Sequence, residues 1–193
     1  MASVVPSLKT TVKCACGKVT LAIDAPSALR LVCYCKDCRG YYNTLNKAAE
    51  SASMKPAATL DPWGGVDYTQ IYPKNIQVTE GRDLLRTVII RPGSKINRIY
   101  STCCHTPMFT ISPNASLLNT NLIKQDEQKP PVKFRIIGRN SLSGEPNKPR
   151  ISWSVPFAWF WTMPKRINAD LMKPAPVDVD EKSVSVLENF QEG

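Results

Sequence analysis

Seven cysteines, gathered into three short groups, constrain this 193-residue chain more than any other feature. The groups are Cys14 and Cys16, then Cys33, Cys35 and Cys38, and finally Cys103 and Cys104. Cysteines this close together can place several sulfur atoms on one ion, and clustered thiolates are typical ligands of zinc. Disulfides are the alternative, but an odd number of cysteines, several only two residues apart, fits disulfide geometry poorly. The pattern therefore predicts zinc binding.

The spacing allows two arrangements of the sulfur atoms. In the first, the group of three cysteines holds one ion alone and leaves a fourth position for water or substrate, as catalytic zinc sites do. Cys14 and Cys16 then need partners from Cys103 and Cys104, and this closed site ties an early hairpin to a late strand. In the second arrangement only one site forms, and the remaining cysteines are small core residues.

The composition predicts a soluble protein without a membrane anchor. No run approaches the roughly 20 apolar residues of a membrane-spanning helix, and residues 1–6 lack the pattern of a signal peptide. We therefore expect a cytoplasmic protein, with the nucleus as the alternative. The net charge of +9 is uneven, because residues 174–193 carry −4 and residues 1–173 carry +13. Since the basic residues are scattered and form no nucleic-acid-binding motif, we do not expect nucleic acid as a partner.

Alternating apolar and polar residues predict a mainly β chain. Residues 11–24 are expected to form a hairpin whose tip at Cys16–Lys18 is a metal knuckle, since Gly17 permits the positive φ of a tight turn. A helical turn can begin at Lys36, and residues 43–65 predict a long loop, with a short helix as the alternative. The other predicted strands are Leu29–Cys35, either Tyr68–Ile71 or Asn75–Val78, Leu84–Ile90, Ile96–Ser101, Met108–Ser112 and Lys133–Ile137.

The C-terminal part of the chain predicts a helix and then a tail. Aromatic residues across Trp153–Trp161 recur at the spacing of one helical face, which favours packing on the sheet. The alternatives are a homodimer contact, a lid over the metal site and a helix at a membrane surface. The acidic residues and prolines near the C-terminus predict disorder. The predicted units are an extension at 1–10, a zinc-binding domain at 11–140, a loop and aromatic helical extension at 141–173, and a disordered tail at 174–193.

Several motifs occur together in a fixed order along residues 11–112. They are Cys14-x-Cys16-Gly17, Cys33-x-Cys35-x-x-Cys38-Arg39, Glu80-Gly81-x-x-Leu84 and Cys104-x-Thr106-Pro107-Met108. In these motifs the chain resembles the glutathione-dependent formaldehyde-activating enzymes, a family that includes centromere protein V. The resemblance implies a β-tent fold, in which antiparallel sheets lean together and carry zinc knuckles. It also implies a structural zinc on the first and last groups of cysteines and a labile zinc on the central group, beside the substrate.

Two departures from that pattern concern the last group of cysteines. The family usually has Cys-x-x-Cys-Gly here, whereas this chain has Ser101 at the first position and His105 at the glycine position. The adjacent pair Cys103-Cys104 is typical of a twin-cysteine branch that also carries Gly64-Gly65-x-Asp67-x-x-Gln70. We expect Cys104 to be the third structural ligand and Cys103 the fourth, with Ser101, His105 or water as alternatives.

The resemblance implies a function in handling a glutathione–aldehyde adduct, of the carbon–sulfur lyase type, at the three-cysteine zinc. Lys36 and Arg39 are then expected to hold the carboxylates of glutathione, and Tyr41 to line the cleft. The expected partner is a small thiol or a glutathione adduct. The alternative is a non-catalytic zinc-stabilised module that binds its partner through a basic surface.

Overall fold

The computed structural model describes residues 7–113, 115–124, 129–142 and 184–190. In these ranges the chain is mainly β, as the alternating sequence predicted, with two sheets and one α-helix, α1, at Lys36–Ser51. None of the helices in these ranges is long and apolar enough to cross a membrane. The strands here are β1 (Leu8–Lys13), β2 (Thr20–Ala25), β3 (Leu29–Cys33), β4 (Val66–Ile71), β5 (Ile76–Glu80), β6 (Leu85–Ile89), β7 (Asn97–Ser101), β8 (Thr106–Ser112), β9 (Ala115–Asn119), β10 (Val132–Ile136) and β11 (Ser185–Val186).

The smaller sheet is antiparallel and has the order β1-β2-β5. Its first two strands form the hairpin that the sequence predicted, in which Val12 pairs with Leu21 and both are buried. Lys13, next in sequence to Val12, is exposed, so period-two alternation buries one face of the sheet and leaves the other to solvent. The turn that joins β1 to β2 carries Cys14 and Cys16.

The larger sheet has the order β10-β3-β4-β9-β8-β7-β6-β11. Its inner pairings are antiparallel, but the edge pairs β10–β3 and β11–β6 are parallel, which corrects the expectation of purely antiparallel sheets. Leu21 and Ile23 from the smaller sheet share one buried cluster with Phe109 and Leu118 from the larger one. The two sheets therefore pack against each other through a common apolar core.

Helix α1 is longer than the sequence analysis predicted. The expectation of a loop is wrong for residues 43–51, which continue the helix to Ser51. Alanine has a high helix propensity, but that propensity is a weak preference, and tertiary packing decides between a helix and a loop here. Tyr42 and Leu45 lie on the buried face of α1 and pack in one cluster with Tyr68 of β4. This packing fixes the N-terminus of α1 against the larger sheet.

Other elements also differ from the sequence predictions. Both alternative strands between residues 68 and 78 form, as β4 and β5, and β9 was not predicted at all. Residues 184–190 belong to the predicted disordered tail, yet Ser185 of β11 pairs with Val88 of β6, so that prediction is wrong for this segment. The aromatic helix predicted at Trp153–Trp161 lies outside the described residues.

A loop closed by Asp61 supports the end of β3. One carboxylate oxygen of Asp61 accepts a hydrogen bond from the backbone N–H of Gly65, and the other accepts one of 2.7 Å from the hydroxyl of Tyr34. Arg135 of β10 pairs with the same carboxylate at 3.2 Å. A Cβ atom at Gly65 would lie 2.5 Å from Cγ1 of Val32, so the close approach requires glycine. These contacts fix the backbone on both sides of Cys33.

Candidate metal centres

Four cysteines from two distant parts of the chain meet in one cluster. Cys14 and Cys16 lie in the turn after β1, and Cys103 and Cys104 lie in the turn between β7 and β8. Their four Sγ atoms all lie within 4.8 Å of one another. The distances from Cys16 are 3.6 Å to Cys14 and 3.3 Å to Cys103, and Cys14 and Cys103 are 3.8 Å apart. A tetrahedral zinc with Zn–S bonds of about 2.3 Å requires sulfur separations of about 3.8 Å, so the four residues fit this ion.

The turn after β1 presents its sulfur atoms through backbone hydrogen bonds. The N–H of Gly17, whose φ is +79°, donates to the carbonyl of Cys14, and the N–H of Val19 donates to Cys14 Sγ at 3.3 Å. The N–H of Ala15 donates to the hydroxyl of Thr106 at 3.1 Å, which ties this turn to β8. The predicted metal knuckle is therefore a tight turn that carries two thiols on one side.

The adjacent cysteines reach the same cluster because the backbone turns sharply where they lie. Neighbouring side chains in an extended strand point to opposite faces, but Cys103 and Cys104 fall between the end of β7 and the start of β8. His105 follows with a φ of +50°, in the left-handed region that glycine adopts more readily. Position 105, where the formaldehyde-activating enzymes usually carry glycine, therefore has a left-handed backbone conformation in this chain.

The residues named as alternatives for the fourth ligand make other contacts. The hydroxyl of Ser101 lies 3.3 Å from Cys104 Sγ and is its hydrogen-bond partner. The ring of His105 stacks on Tyr100 with a centroid distance of 6.1 Å. Among the described residues the cluster brings four sulfur atoms together, so it supplies a complete tetrahedral set without Ser101 or His105.

The thiol of Cys104 has a lowered pKa, in contrast to those of Cys14 and Cys103. Burial acts to raise its pKa, but hydrogen bonds from the hydroxyls of Ser101 and Thr106 and from Cys16 outweigh burial and lower the pKa to about 6. Burial raises the pKa of Cys14 and of Cys103. The thiolate form is therefore favoured at Cys104, and a bound cation would favour it at Cys14 and Cys103 as well.

The remaining cysteines form a second cluster at the N-terminus of α1. Cys33 ends β3, Cys35 is the N-cap of α1 and Cys38 lies in its first turn. Their Sγ atoms lie within 4.8 Å of one another, and Cys35 Sγ accepts a hydrogen bond of 3.3 Å from the N–H of Cys38. The positive end of a helix dipole stabilises thiolates, so this position favours a cation-binding cluster. Cys33 is buried, whereas Cys35 and Cys38 are partly exposed.

The charge in this cluster is concentrated on Cys38. Hydrogen bonds from the thiols of Cys33 and Cys35, together with the charge of Arg98, hold the pKa of Cys38 well below its usual range. The same sharing of protons between thiols, with burial, raises the pKa of Cys33. Tyr68 also contributes to the low pKa of Cys38 through its hydroxyl. These contacts favour the thiolate form at Cys38 rather than at Cys33.

Arg98 brings a buried positive charge to the three-cysteine cluster. Its side chain extends from β7, is only 2% exposed and lies over the ring of Tyr41, with 5.6 Å between guanidinium and ring centroid. Burial acts to lower its pKa, but the negative charge of Cys38 and the nearby hydroxyls of Tyr68 and Tyr41 outweigh burial and raise it. Nε and Nη1 of Arg98 have no hydrogen-bond partner among the described residues.

The residues predicted to bind substrate take three different positions. Lys36, at the first position of α1, is exposed beside the three-cysteine cluster. Arg39 is 7% exposed, and its Nη1 donates a hydrogen bond of 2.8 Å to the backbone carbonyl of Asn140. Tyr41 is buried under the guanidinium of Arg98. The roles of Lys36, Arg39 and Tyr41 toward a substrate stay predictions.

Arg98 is the site residue that the sequence analysis missed. In β7 it alternates with buried Ile99, a pattern that suggests a solvent-exposed arginine on the outer face of a strand. The pairing of Arg98 with Val88 of β6 and the packing of α1 on the same face bury it instead. Because this burial results from long-range pairing, no local sequence signal reveals it.

The fold and the two clusters define a mainly β protein whose cysteines could hold two metal ions such as zinc. The family described as "Family of unknown function (DUF6151)" matches residues 1–125, and the chain belongs to this family. No curated protein matches the chain. Among solved structures, the crystal structure of a Rhodobacter sphaeroides protein, a structural genomics target, is 13% identical with a TM-score of 0.42. The match covers 61% of this chain and 91% of that one, and a similarity of this size carries no information about activity.

Proposed function

We propose that this protein binds two zinc ions, a structural one at the four-cysteine cluster and an exchangeable one at the three-cysteine cluster. The observation that carries the proposal is the number of ligands in each cluster. The Sγ atoms of Cys33, Cys35 and Cys38 lie within 4.8 Å of one another, and no fourth Cys, His, Asp or Glu of the described residues joins them. Three protein ligands and one open position are typical of zinc that binds a substrate, whereas four thiolates form a closed site.

A small thiol is the ligand that best suits the open position. Zinc with three thiolates carries a formal charge of −1, which makes it a weak Lewis acid that prefers soft ligands such as sulfur. When bound, the zinc would lower the pKa of a ligand thiol and hold it as thiolate. Lys36, exposed at the N-terminus of α1, would pair with a carboxylate of such a ligand. Cysteine-containing peptides such as glutathione carry both groups.

The finer proposal is that the ligand is a glutathione–aldehyde adduct and that the reaction is of the carbon–sulfur lyase type. This proposal is supported by the resemblance to glutathione-dependent formaldehyde-activating enzymes. The same resemblance supports the proposal that the two sheets form a β-tent. In the direction of cleavage, the carbon–sulfur bond of S-hydroxymethylglutathione breaks, its electrons go to sulfur, and the hydroxyl proton is lost as formaldehyde forms. Glutathione then recovers a proton, so the reaction needs no oxidant or reductant.

Metal stoichiometry tests the two-zinc proposal. Native mass spectrometry of the purified protein should find two zinc ions per chain, and a weak chelator should remove one of them. Cys35→Ser should abolish the labile ion and keep the resistant one, because Cys35 belongs only to the three-cysteine cluster. The matched variant Cys16→Ser should weaken the resistant ion instead. A wild-type protein that holds one resistant zinc and never a second would contradict the proposal.

The adduct proposal requires a separate measurement, because formaldehyde adds to thiols without a catalyst. Exchange between ¹³C-formaldehyde and S-hydroxymethylglutathione can be followed by NMR with wild-type protein, with Cys35→Ser and without protein. Faster exchange with the wild type alone would support the lyase. Equal exchange in all three samples would refute it and leave the protein as a metal-stabilised binding module.

A further inference from the structure

The buried guanidinium of Arg98 is the polar group of the described structure with the least local explanation. A buried charge without a partner is strongly unfavourable, and buried arginines are normally paired. Arg98 is 2% exposed, yet its Nε and Nη1 have no hydrogen-bond partner among the described residues. The guanidinium lies over the ring of Tyr41, whose buried hydroxyl has no partner among the described residues either. Two buried guanidinium N–H groups therefore lack an acceptor among the described residues.

No carboxylate of the described residues forms an ion pair with Arg98. Asp67 pairs with Arg30, Asp61 with Arg135 and Asp37 with Arg91. The groups that act most strongly on the charge of Arg98 are Cys38 and the hydroxyls of Tyr68 and Tyr41. Its position agrees with this, because the guanidinium lies over the ring of Tyr41, which follows Cys38 by one turn of α1 and belongs to the apolar cluster against which Cys35 and Cys38 pack. Nε and Nη1 nevertheless have no hydrogen-bond partner among the described residues.

The charges explain why an arginine suits this place. With zinc bound, the three thiolates leave the centre at −1, and a negatively charged fourth ligand would be repelled. The positive charge of Arg98 brings the sum to zero, which removes that repulsion. Its planar fork of N–H groups can also donate to an anion in a way that the helix N-terminus alone cannot.

We propose that Arg98 is a binding residue for an anionic ligand at the three-cysteine centre, with its free Nε–H and Nη1–H groups donating to that ligand. The ligand class is a small monoanion such as a thiolate or carboxylate, rather than a neutral water or amine. This inference rests on the proposed exchangeable metal at Cys33, Cys35 and Cys38, and it adds the selectivity of the open position.

Azide and imidazole binding to the cobalt-substituted protein tests the proposal. Co²⁺ replaces spectroscopically silent zinc, and its visible absorption changes when an exogenous ligand enters an open position. The wild type should bind azide, an anion, and Arg98→Met should weaken azide binding about tenfold or more, since hydrogen bonds to charged groups are the strong ones. Binding of neutral imidazole should change less than about threefold. Arg98→Lys keeps the charge but not the fork, so azide should bind with intermediate affinity.

Arg86→Met is the matched control. Arg86 lies on β6, is exposed and pairs with Tyr100 on the strand that carries Arg98. The substitution Arg86→Met removes one positive charge near Arg98 but leaves the buried site unchanged. Azide affinity should stay within about twofold of the wild type, because an exposed charge is largely screened. The thiolate absorption of cobalt at the four-cysteine cluster reports in each variant that the fold is intact. If Arg98→Met does not fold, azide affinity in Arg98→Lys still tests the proposal.

Several outcomes would overturn the inference. Equal weakening of azide and imidazole in Arg98→Met would mean that Arg98 supports the structure only. A loss of cobalt affinity with unchanged azide binding would mean that Arg98 compensates the charge of the thiolates alone. A wild type that binds two cobalt ions but no azide would refute the anion site and leave the two-metal proposal standing. A wild type with no second cobalt would refute both.

Discussion

Single residues in this protein decide how closely the backbone can approach the metal clusters. At Gly65 the absence of a side chain lets the loop of Asp61 lie against β3, where an added Cβ would lie 2.5 Å from Val32 Cγ1 and 2.7 Å from Tyr34 Cε1. His105 shows the opposite case, since a non-glycine residue adopts a φ of +50° next to Cys104. Such residues hold the cysteine-bearing turns in place through backbone geometry rather than through contact with a metal.

Gly65→Ala should destabilise the protein by about 2 to 3 kcal/mol, because overpacking a buried contact forces neighbouring side chains to shift. Urea denaturation followed by tryptophan fluorescence measures the change. Gly93→Ala is the control, since a Cβ there meets open space and the left-handed φ of +76° alone should cost about 1 kcal/mol. Equal effects of the two substitutions would show that the loop yields to the added methyl group.

Some of the site residues could be predicted from the sequence and others could not, and the difference has a physical reason. Ligands that are close in the chain, such as Cys35 and Cys38, could be predicted, because their spacing alone places them on one turn. The joining of Cys16 to Cys103 could be predicted only by elimination, since no other thiols remained. Arg98 could not be predicted, because its burial depends on strand pairing and on a helix more than 40 residues earlier in the chain.

At the scale of elements, the strands β3 and β4 are joined by a partly buried ion pair. Arg30 Nη2 lies 2.6 Å from Asp67 Oδ2, its Nε also donates to that carboxylate, and its Nη1 donates to the backbone carbonyl of Pro130 ahead of β10. The side chains are 23% and 16% exposed. A bidentate pair with this geometry holds three neighbouring strands in register close to Cys33.

A double-mutant cycle of Arg30→Met and Asp67→Asn should give a coupling energy of about 1 to 2 kcal/mol, above the usual value for exposed pairs because the geometry is bidentate and half-shielded. Urea titrations give the free energies of unfolding of the wild type, the two single variants and the double variant. The exposed pair Lys9–Asp24, at 3.7 Å, is the internal comparison and should give less than about 0.5 kcal/mol. A coupling energy near zero for Arg30–Asp67 would show that the strands keep register without it.

The four-cysteine cluster joins elements that the sheets do not connect. The hairpin β1–β2 belongs to the smaller sheet, and the turn between β7 and β8 belongs to the larger one. Cys104→Ser should therefore lower the free energy of unfolding by more than about 4 kcal/mol, as loss of a structural metal does. Hydrogen exchange should accelerate first in β1 and β2. Cys35→Ser, which affects only the open cluster, should change stability much less, and the reverse order would exchange the roles of the two clusters.

At the scale of the whole molecule, predictions from sequence succeeded for the fold class and failed where distant segments meet. Period-two alternation gave the mainly β character and the first hairpin. The parallel edge pairs could not be predicted, because each joins strands far apart in the chain, such as β6 and β11 at Ser185–Val186. Helix α1 was underestimated because alanine and serine occur in both loops and helices, and burial of Tyr42 and Leu45 against β4 decides between the two.

Buried tyrosines make the whole fold sensitive to alkaline pH. Burial raises the pKa of Tyr34, Tyr41, Tyr42 and Tyr68 above 10.0, so the folded state favours their neutral forms. Their contribution to stability is fully present below pH 10, the unfolded pKa, and is lost as pH rises above it, by about 1.4 kcal/mol per pH unit for each tyrosine. Urea midpoints of the zinc-loaded protein at pH 9, 10 and 11 should fall accordingly, and absorbance at 295 nm should rise only with unfolding.

Tyr34→Phe separates this effect from general charge repulsion. The hydroxyl of Tyr34 donates to Asp61 at 2.7 Å and accepts from Arg135 at 2.6 Å, so the variant should be less stable at pH 9. Above pH 10, however, its stability should fall less steeply than that of the wild type, by about 1.4 kcal/mol per pH unit, because one buried hydroxyl no longer has to ionise on unfolding. Parallel pH profiles would show that Tyr34 ionises as easily in the folded protein as in the unfolded chain.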